Sequence, residues 1–140
     1  MSFRRFIDLV AASGDLITID KPVSTTYEIA NVAHALEGRP VLFTNIAGYP
    51  GWRSCAGPCS DRRYFSMALG VEMTDLMHRM TDAIANPVAP PIVQTAPCQE
   101  VIREDVNLFD LPIVLHLPED GGHYIASNVV IINDPDLGRN

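Results

Sequence analysis

Between residues 87 and 98 the chain carries Pro87, Pro90, Pro91 and Pro97 and no charged side chain. Proline locks φ near about −65° and has no backbone N–H to donate, so this stretch can form neither a helix interior nor a central strand. It reads as an extended crossing segment and a candidate domain boundary, with a block of structure on each side. The whole chain is 140 residues, enough for one real core but not for two full domains.

Before the prolines the pattern alternates short strands with helices. Ser2 is placed to cap a helix whose apolar stripe is Phe3, Phe6, Ile7, Leu9 and Val10, ending at Ser13-Gly14. Leu16 to Asp20 alternates as a half-buried strand. Thr26 to Leu36 predicts a second helix, with Ile29, Val32, Ala33 and Leu36 on one face and Gly38-Arg39-Pro40 stopping it. Val41-Leu42-Phe43 follows as a short buried strand. Asp61 and Thr74 are candidate caps for two more helices, the first closed by Gly70, the second carrying Leu76, Met77, Met80 and Ile84 up to Asn86-Pro87. Strands ahead of helices point to an α+β or α/β layer and not to a bundle.

After the prolines come a predicted strand at Gln99 to Arg103, a turn at Asn107 to Pro112 and a polar loop, Pro118 to Gly122. Tyr124 to Ile132 is the most convincing strand in the chain, and Asn133 to Gly138 is a turn. The continuous apolar run Val129 to Ile132 implies burial on both faces and a partner on both edges. Residues 124–132 are therefore expected to pair with another polypeptide or to lie beneath residues 106–118.

Charge narrows the function classes. Ten Lys and Arg against 17 Asp and Glu give a net charge of −7, and no cationic run exceeds two residues, so nucleic acid and anionic membrane are poor partners. The run Val129 to Ile132 is far short of the about 20 residues that span a bilayer, and Asp8 interrupts any signal-peptide core. With three cysteines, an odd number for a secreted disulfide framework, the expectation is a cytoplasmic protein.

No complete catalytic constellation appears. Cys55 and Cys59 have no second pair for a zinc site, and Cys98 stands apart, so all three are expected to be small buried or partly buried thiols. His34 and His78 sit inside helical patterns, whereas His116 and His123 flank the Gly121-Gly122 loop and are candidates to line a pocket. Glu100, Glu104 and Asp105 read as a solvated strand face. P-loop, dinucleotide fingerprint, nucleophile elbow and metalloprotease helix are all missing.

An ordered set of segments carries a resemblance. Glu104-Asp105-Val106-Asn107-Leu108-Phe109-Asp110-Leu111-Pro112, Leu115-His116, Glu119-Asp120-Gly121-Gly122-His123-Tyr124-Ile125 and Asp134 to Asn140 occur in that order, after Phe3 to Val10, Gly14-Asp15-Leu16 and Val41 to Ile46 with Gly48. Together they resemble the UbiD family of decarboxylases, whose members show E-D-x-x-L-x-x-L-P, then H-x-x-D-G-G-x-Y-I-T, then D-P-x-x-G-x-x-N-x-G-x-Y-R. The resemblance covers nearly the whole chain.

It implies an α+β chain, in which an N-terminal α/β domain over residues 1–100 is followed by the opening strands of a split β-barrel over 101–140. It implies prenylated FMN as cofactor with Mn or Mg, and K. Asn140 matches the asparagine that binds the metal at the flavin phosphate, where an amide carbonyl suits a hard cation. Ser127 stands where relatives place a threonine facing the cofactor, and Tyr124 and Ile125 match as packing residues. The family's Glu-Arg-Glu acid-base set falls beyond residue 140, so no catalytic residue is assigned. The implied function is the N-terminal part or a subunit of a reversible decarboxylase of aromatic or α,β-unsaturated acids. Its implied partners are the remainder of the enzyme or a complementing subunit in a homo-oligomer, and a small carboxylic acid. Two other readings remain open: a non-catalytic accessory or remnant chain, and an unrelated α+β flavin-binding domain.

Overall fold

A computed structural model describes residues 1–126, 128–132 and 134–138. Helix α1 (Phe3–Ala12) leads to β1 (Ile17–Ile19), α2 (Glu28–Ala35), β2 (Val41–Phe43), β3 (Ser54–Ala56), α3 (Arg62–Leu69) and α4 (Leu76–Ala85). The strands form one mixed sheet in the order β1-β2-β3. β1 and β2 are parallel, with Thr18 opposite Leu42, and α2 makes the crossover that a parallel pair requires. β3 returns antiparallel, with Cys55 opposite Leu42.

Side chains on a strand alternate between faces, and β2 shows the consequence. Val41 and Phe43 point into a core with Val23, Ile29, Ile46 and Val114, against which Val32 of α2 and Leu36, the residue that caps its C-terminus, pack. Leu42 packs on the opposite face against Phe6, Ile7, Val10 and Tyr64, the contribution of α1 and α3. The result is a small mixed α/β domain, with helices on both faces of a three-stranded sheet.

Local signals placed most of these elements. Ser2 Oγ accepts from Arg5 N at 3.3 Å, and Asp61 Oδ1 accepts from Arg63 N at 2.8 Å, capping α1 and α3 as expected. Gly70 closes α3 in the left-handed conformation, φ 67°. Gly57 has a different reason to be glycine. At φ 68°, a Cβ there would stand 2.8 Å from the Arg39 carbonyl oxygen.

Several expectations are corrected. Helix α2 starts at Glu28 and not at Thr26, because Tyr27 is held at φ 63° while its N–H donates to the Leu115 carbonyl at 2.9 Å. The Glu28 carboxylate reaches back to accept from Ser24 N at 2.7 Å, satisfying a donor ahead of the helix. Helix α4 begins at Leu76 behind Asp75, so Thr74 is not its cap. Leu9 and Met80 are exposed: α1 turns Ile7 inward, and Leu76 is the buried residue of α4. Strand β3 was not expected, since Ser54-Cys55-Ala56 has neither β-branched nor aromatic side chains and is chosen by pairing with β2.

The largest corrections lie beyond the prolines. Gln99 to Arg103 is no strand; Pro97–Gln99 form a 3-10 turn and residues 99–103 are exposed. Residues 124–126 and 128–132 are likewise not strand, and Val129 to Ile132 are 72 to 88% exposed. A strand needs a neighbour to take its N–H and C=O groups, and with 99–103 unavailable none is formed. Residues 106–118 do not cover the run; they lie instead beside residues 123–124, where Tyr124 N donates to the Val114 carbonyl at 3.1 Å. The turns do form as read. Asn107 Oδ1 caps the 3-10 turn Leu108–Asp110, and Asp134 Oδ1 accepts from Asp136 N and Leu137 N at 2.8 and 2.9 Å. Among the described residues no helix is long and apolar enough to cross a membrane.

Candidate functional site

The segment that follows the prolines docks on the first domain through a short parallel bridge. Leu115 N donates to the Thr25 carbonyl and Tyr27 N donates to the Leu115 carbonyl, both at 2.9 Å. Val114 is thereby pressed into the core. The Tyr49 hydroxyl adds a second tether, donating to the Phe109 carbonyl at 3.2 Å. Between this segment and the first domain lies a cleft of about 590 Å³. One wall is Ile113, Val114, His116 and Tyr124, and the other is Ile29, Ala33 and β3. That volume is in the range of about 300–1,000 Å³ typical of small-molecule sites, and the walls are apolar with few polar groups, as such sites are.

The polar groups come from both walls, Arg53 and Ser54 from one and His116 and Tyr124, which flank the Gly-Gly loop, from the other. His116 and Tyr124 stack with ring centroids 4.4 Å apart and tilted by 32°. Nδ1 of His116 is buried and has no hydrogen-bond partner among the described residues. His123, in contrast, is exposed and its Nδ1 lies 2.6 Å from the Ile113 carbonyl, so it holds the loop and does not face the cleft. The Asp120 carboxylate accepts from Leu117 N at 2.8 Å and closes the turn between the two histidines. His116 is thus the histidine that meets the pocket-lining expectation. His34 and His78 are exposed on α2 and α4.

Ser127 and Asn140, the residues predicted to hold cofactor and metal, lie outside the described residues. Ala126, directly before Ser127, lines the cleft, as does Ile125. Glu100, Glu104 and Asp105 are exposed as predicted, though on no strand. The residues that sequence reasoning missed are Ser54, Cys55 and Ala56, since only the fold reveals that β3 borders the cleft.

The thiols differ from expectation: Cys59 and Cys98 are exposed, and Cys55 alone is partly buried. Burial pushes the Cys55 thiol up to about 11. At pH 8 its thiolate fraction is then on the order of a thousandth, so iodoacetamide is expected to label Cys59 and Cys98 first and Cys55 only as the pH climbs toward 11. Mass-spectrometric mapping of the labelled cysteines against pH checks this; equal rates at pH 8 would contradict the burial.

Comparison with known proteins follows the same line. Residues 7–84 match the N-terminal domain of 3-octaprenyl-4-hydroxybenzoate carboxy-lyase, UbiD, and residues 91–140 match its Rift-related domain. An anhydromevalonate phosphate decarboxylase of Methanosarcina mazei is 32% identical over 135 residues, which is 94% of this chain and 30% of that protein. An evolved dimeric form of the UbiD-class enzyme HmfF from Pelotomaculum thermopropionicum, in complex with prFMN, superposes with a TM-score of 0.88 at 32% identity, over 98% of this chain and 33% of that one. The vanillic acid decarboxylase VdcCD of Sedimentibacter hydroxybenzoicus, in its closed form, gives 0.76 at 27% identity over 87% of this chain and 28% of that one. The chain spans about 30% of the length of the curated relatives it matches. With more than half its residues matched by the N-terminal domain and its fold shared with a UbiD-class enzyme, this chain belongs to the UbiD family of carboxy-lyases.

Proposed function

We propose that the chain is the N-terminal part, or a subunit, of a UbiD-like reversible decarboxylase acting on an aromatic or α,β-unsaturated carboxylic acid with prenylated FMN. The observation that carries this reading is the superposition of nearly the whole chain on HmfF, a structure in complex with prFMN. Residues 1–100 are the first domain in this reading, and 101–140 open the split barrel. The exposed apolar run Val129 to Ile132 fits that assignment, because β-branched residues of this kind become a strand once another polypeptide supplies paired edges. That polypeptide is the remainder of the enzyme or a complementing subunit, within an oligomer. The dimeric form of HmfF and the two-component name VdcCD are in keeping with it.

The bound cofactor would supply an electron sink for the bond broken as CO₂ leaves. The residues of this chain would orient it. The apolar cleft, lined by Ile125 and Ala126, is chemically suited to a planar ring system, and Ser127, next in the sequence, would be its hydroxyl partner. Asn140 would offer its amide oxygen to Mn or Mg beside the phosphate, with K as a further cation. Among the described residues no three His, Cys, Asp or Glu side chains converge as metal ligands, so the metal assignment rests on Asn140.

The proton-transfer set is assigned beyond residue 140, and general acid-base steps contribute about 10²- to 10⁴-fold in rate. The 140 residues alone, given prenylated FMN and Mn, are expected to release no CO₂ from 4-hydroxybenzoate or cinnamate. Co-expression with a polypeptide carrying the Glu-Arg-Glu set is expected to produce release. Turnover by the chain alone would show that the active site is misplaced, and silence after complementation would favour an accessory role.

A further inference from the structure

Glycines apart, Tyr27 alone among the described residues has a positive φ, 63° with ψ −31°. Its Cβ there crowds the following carbonyl, a cost that a non-glycine residue bears only where its surroundings compel it. What compels it is the bridge at the cleft, in which Leu115 N donates to the Thr25 carbonyl and Tyr27 N to the Leu115 carbonyl, both at 2.9 Å. The strain therefore belongs to the docking of the segment beyond the prolines.

The local sequence encodes a second arrangement. Thr25-Thr26-Tyr27-Glu28 has the Thr-x-x-Glu spacing of a capping box, in which the threonine hydroxyl accepts from the third amide after it and the glutamate reaches back to the threonine N–H. A helix so capped starts at Thr26, with Tyr27 in the ordinary right-handed conformation and a first bond from Ile29 N to the Thr25 carbonyl. In the structure Leu115 N takes that carbonyl. Ile29 N donates instead to the Ser24 carbonyl at 3.2 Å, and the Glu28 carboxylate accepts from Ser24 N at 2.7 Å. Both bonds are displaced by one residue, and the Leu115 bridge holds the displacement.

Neither arrangement has every advantage. Docking buries Val114 in the core and gains the bond from the Tyr49 hydroxyl to the Phe109 carbonyl. Against it stand the strain at Tyr27 and His116 Nδ1, buried without a partner among the described residues. Residues 87–95, ahead of the segment, are all exposed, so no packing of theirs opposes its movement.

We propose that residues 109–126 are a flap on the cleft, which lifts by breaking the Leu115 bridge while Tyr27 relaxes and α2 winds back to Thr26. A ligand that touches Ile29 and Ala33 on one wall and His116 and Tyr124 on the other meets both walls only when the flap is down, so its binding closes the flap. Lifting gives it entry. The device involves no flavin and no residue beyond Ala126, so it stands or falls separately from the decarboxylase reading.

Amide exchange of the 140-residue chain, followed residue by residue by NMR, tests it. The Tyr27 and Leu115 N–H groups are expected to exchange through local opening, at least about tenfold faster than the amides of β2, which wait for global unfolding. Tyr27→Gly and Tyr27→Ala remove the same side chain and differ only in Cβ. Glycine adopts the positive φ freely and alanine favours the relaxed helix, so Leu115 should exchange at least about tenfold more slowly in the glycine variant than in the alanine variant. Leu115→Pro, which lacks the donor, should move the Tyr27 Cα shift to helical values while β2 stays protected. Leu115 exchange at the rate of the β2 amides, equal Leu115 rates in the glycine and alanine variants, or a Tyr27 shift unmoved by Leu115→Pro would overturn the proposal.

Discussion

Phe43→Ala is expected to lower the stability of the first domain by about 3 to 5 kcal/mol, the usual cost of emptying a buried phenyl site. The Phe43 side chain is fully buried at the end of β2, where it meets Val23, Ile29 and Ile46. Two features stop the surroundings from closing over the gap. β2 is the central strand, fixed by ladders on both sides, and Val114 reaches the same cluster from the segment beyond the prolines. A small domain holds only about 5 to 15 kcal/mol in total, so the loss removes a large share of its stability. Urea denaturation of the two proteins measures the difference. Phe43→Leu, which keeps most of the volume, should cost less than about 1.5 kcal/mol. A loss below about 1 kcal/mol for the alanine variant would show that this cluster is not the core.

Tyr64 supports the other face of the sheet, and its two halves can be separated. The ring is 1% exposed and packs with Phe6, Ile7 and Val10, while its hydroxyl accepts from Arg63 Nη2 at 2.7 Å. Tyr64→Ala should therefore cost about 3 to 5 kcal/mol through the cavity. Tyr64→Phe removes only the hydroxyl and should cost about 0.5 to 1.5 kcal/mol. The smaller figure applies because Arg63 is half-exposed and retains Asp15 at 3.4 Å and water, so its charge is not stranded. Thermal unfolding of both variants tests the split. Equal losses would mean that the hydroxyl bond, and not the ring, holds α3 on α1.

What the sequence determined by itself is the part governed by short-range chemistry. The Ser2 and Asp61 caps, the Gly70 stop and the apolar stripes of α1 and α2 act within one helical turn, so they are legible wherever they stand. Val41 to Phe43 is legible for a similar reason, being a short β-branched and aromatic run between a proline and a polar loop. The proline segment is equally local, and residues 87–96 indeed form neither helix nor strand. Family membership was legible because it sums weak motifs along the whole chain.

The tertiary structure decided everything that depends on a distant partner. Ser54 to Ala56 becomes a strand because β2 offers an edge, and Tyr27 holds a positive φ because the Leu115 carbonyl waits for its N–H. The same rule works in reverse for Val129 to Ile132. Its composition favours a strand, yet backbone N–H and C=O groups pair only with a neighbour, and the described residues supply none there. The cleft is of this kind as well. Nothing in the spacing of Ile29 from Tyr124 places them together; the docking of Leu115 does. Helical order is written in residues three and four apart, whereas sheets and sites are assembled from segments that meet only after the chain has closed on its core.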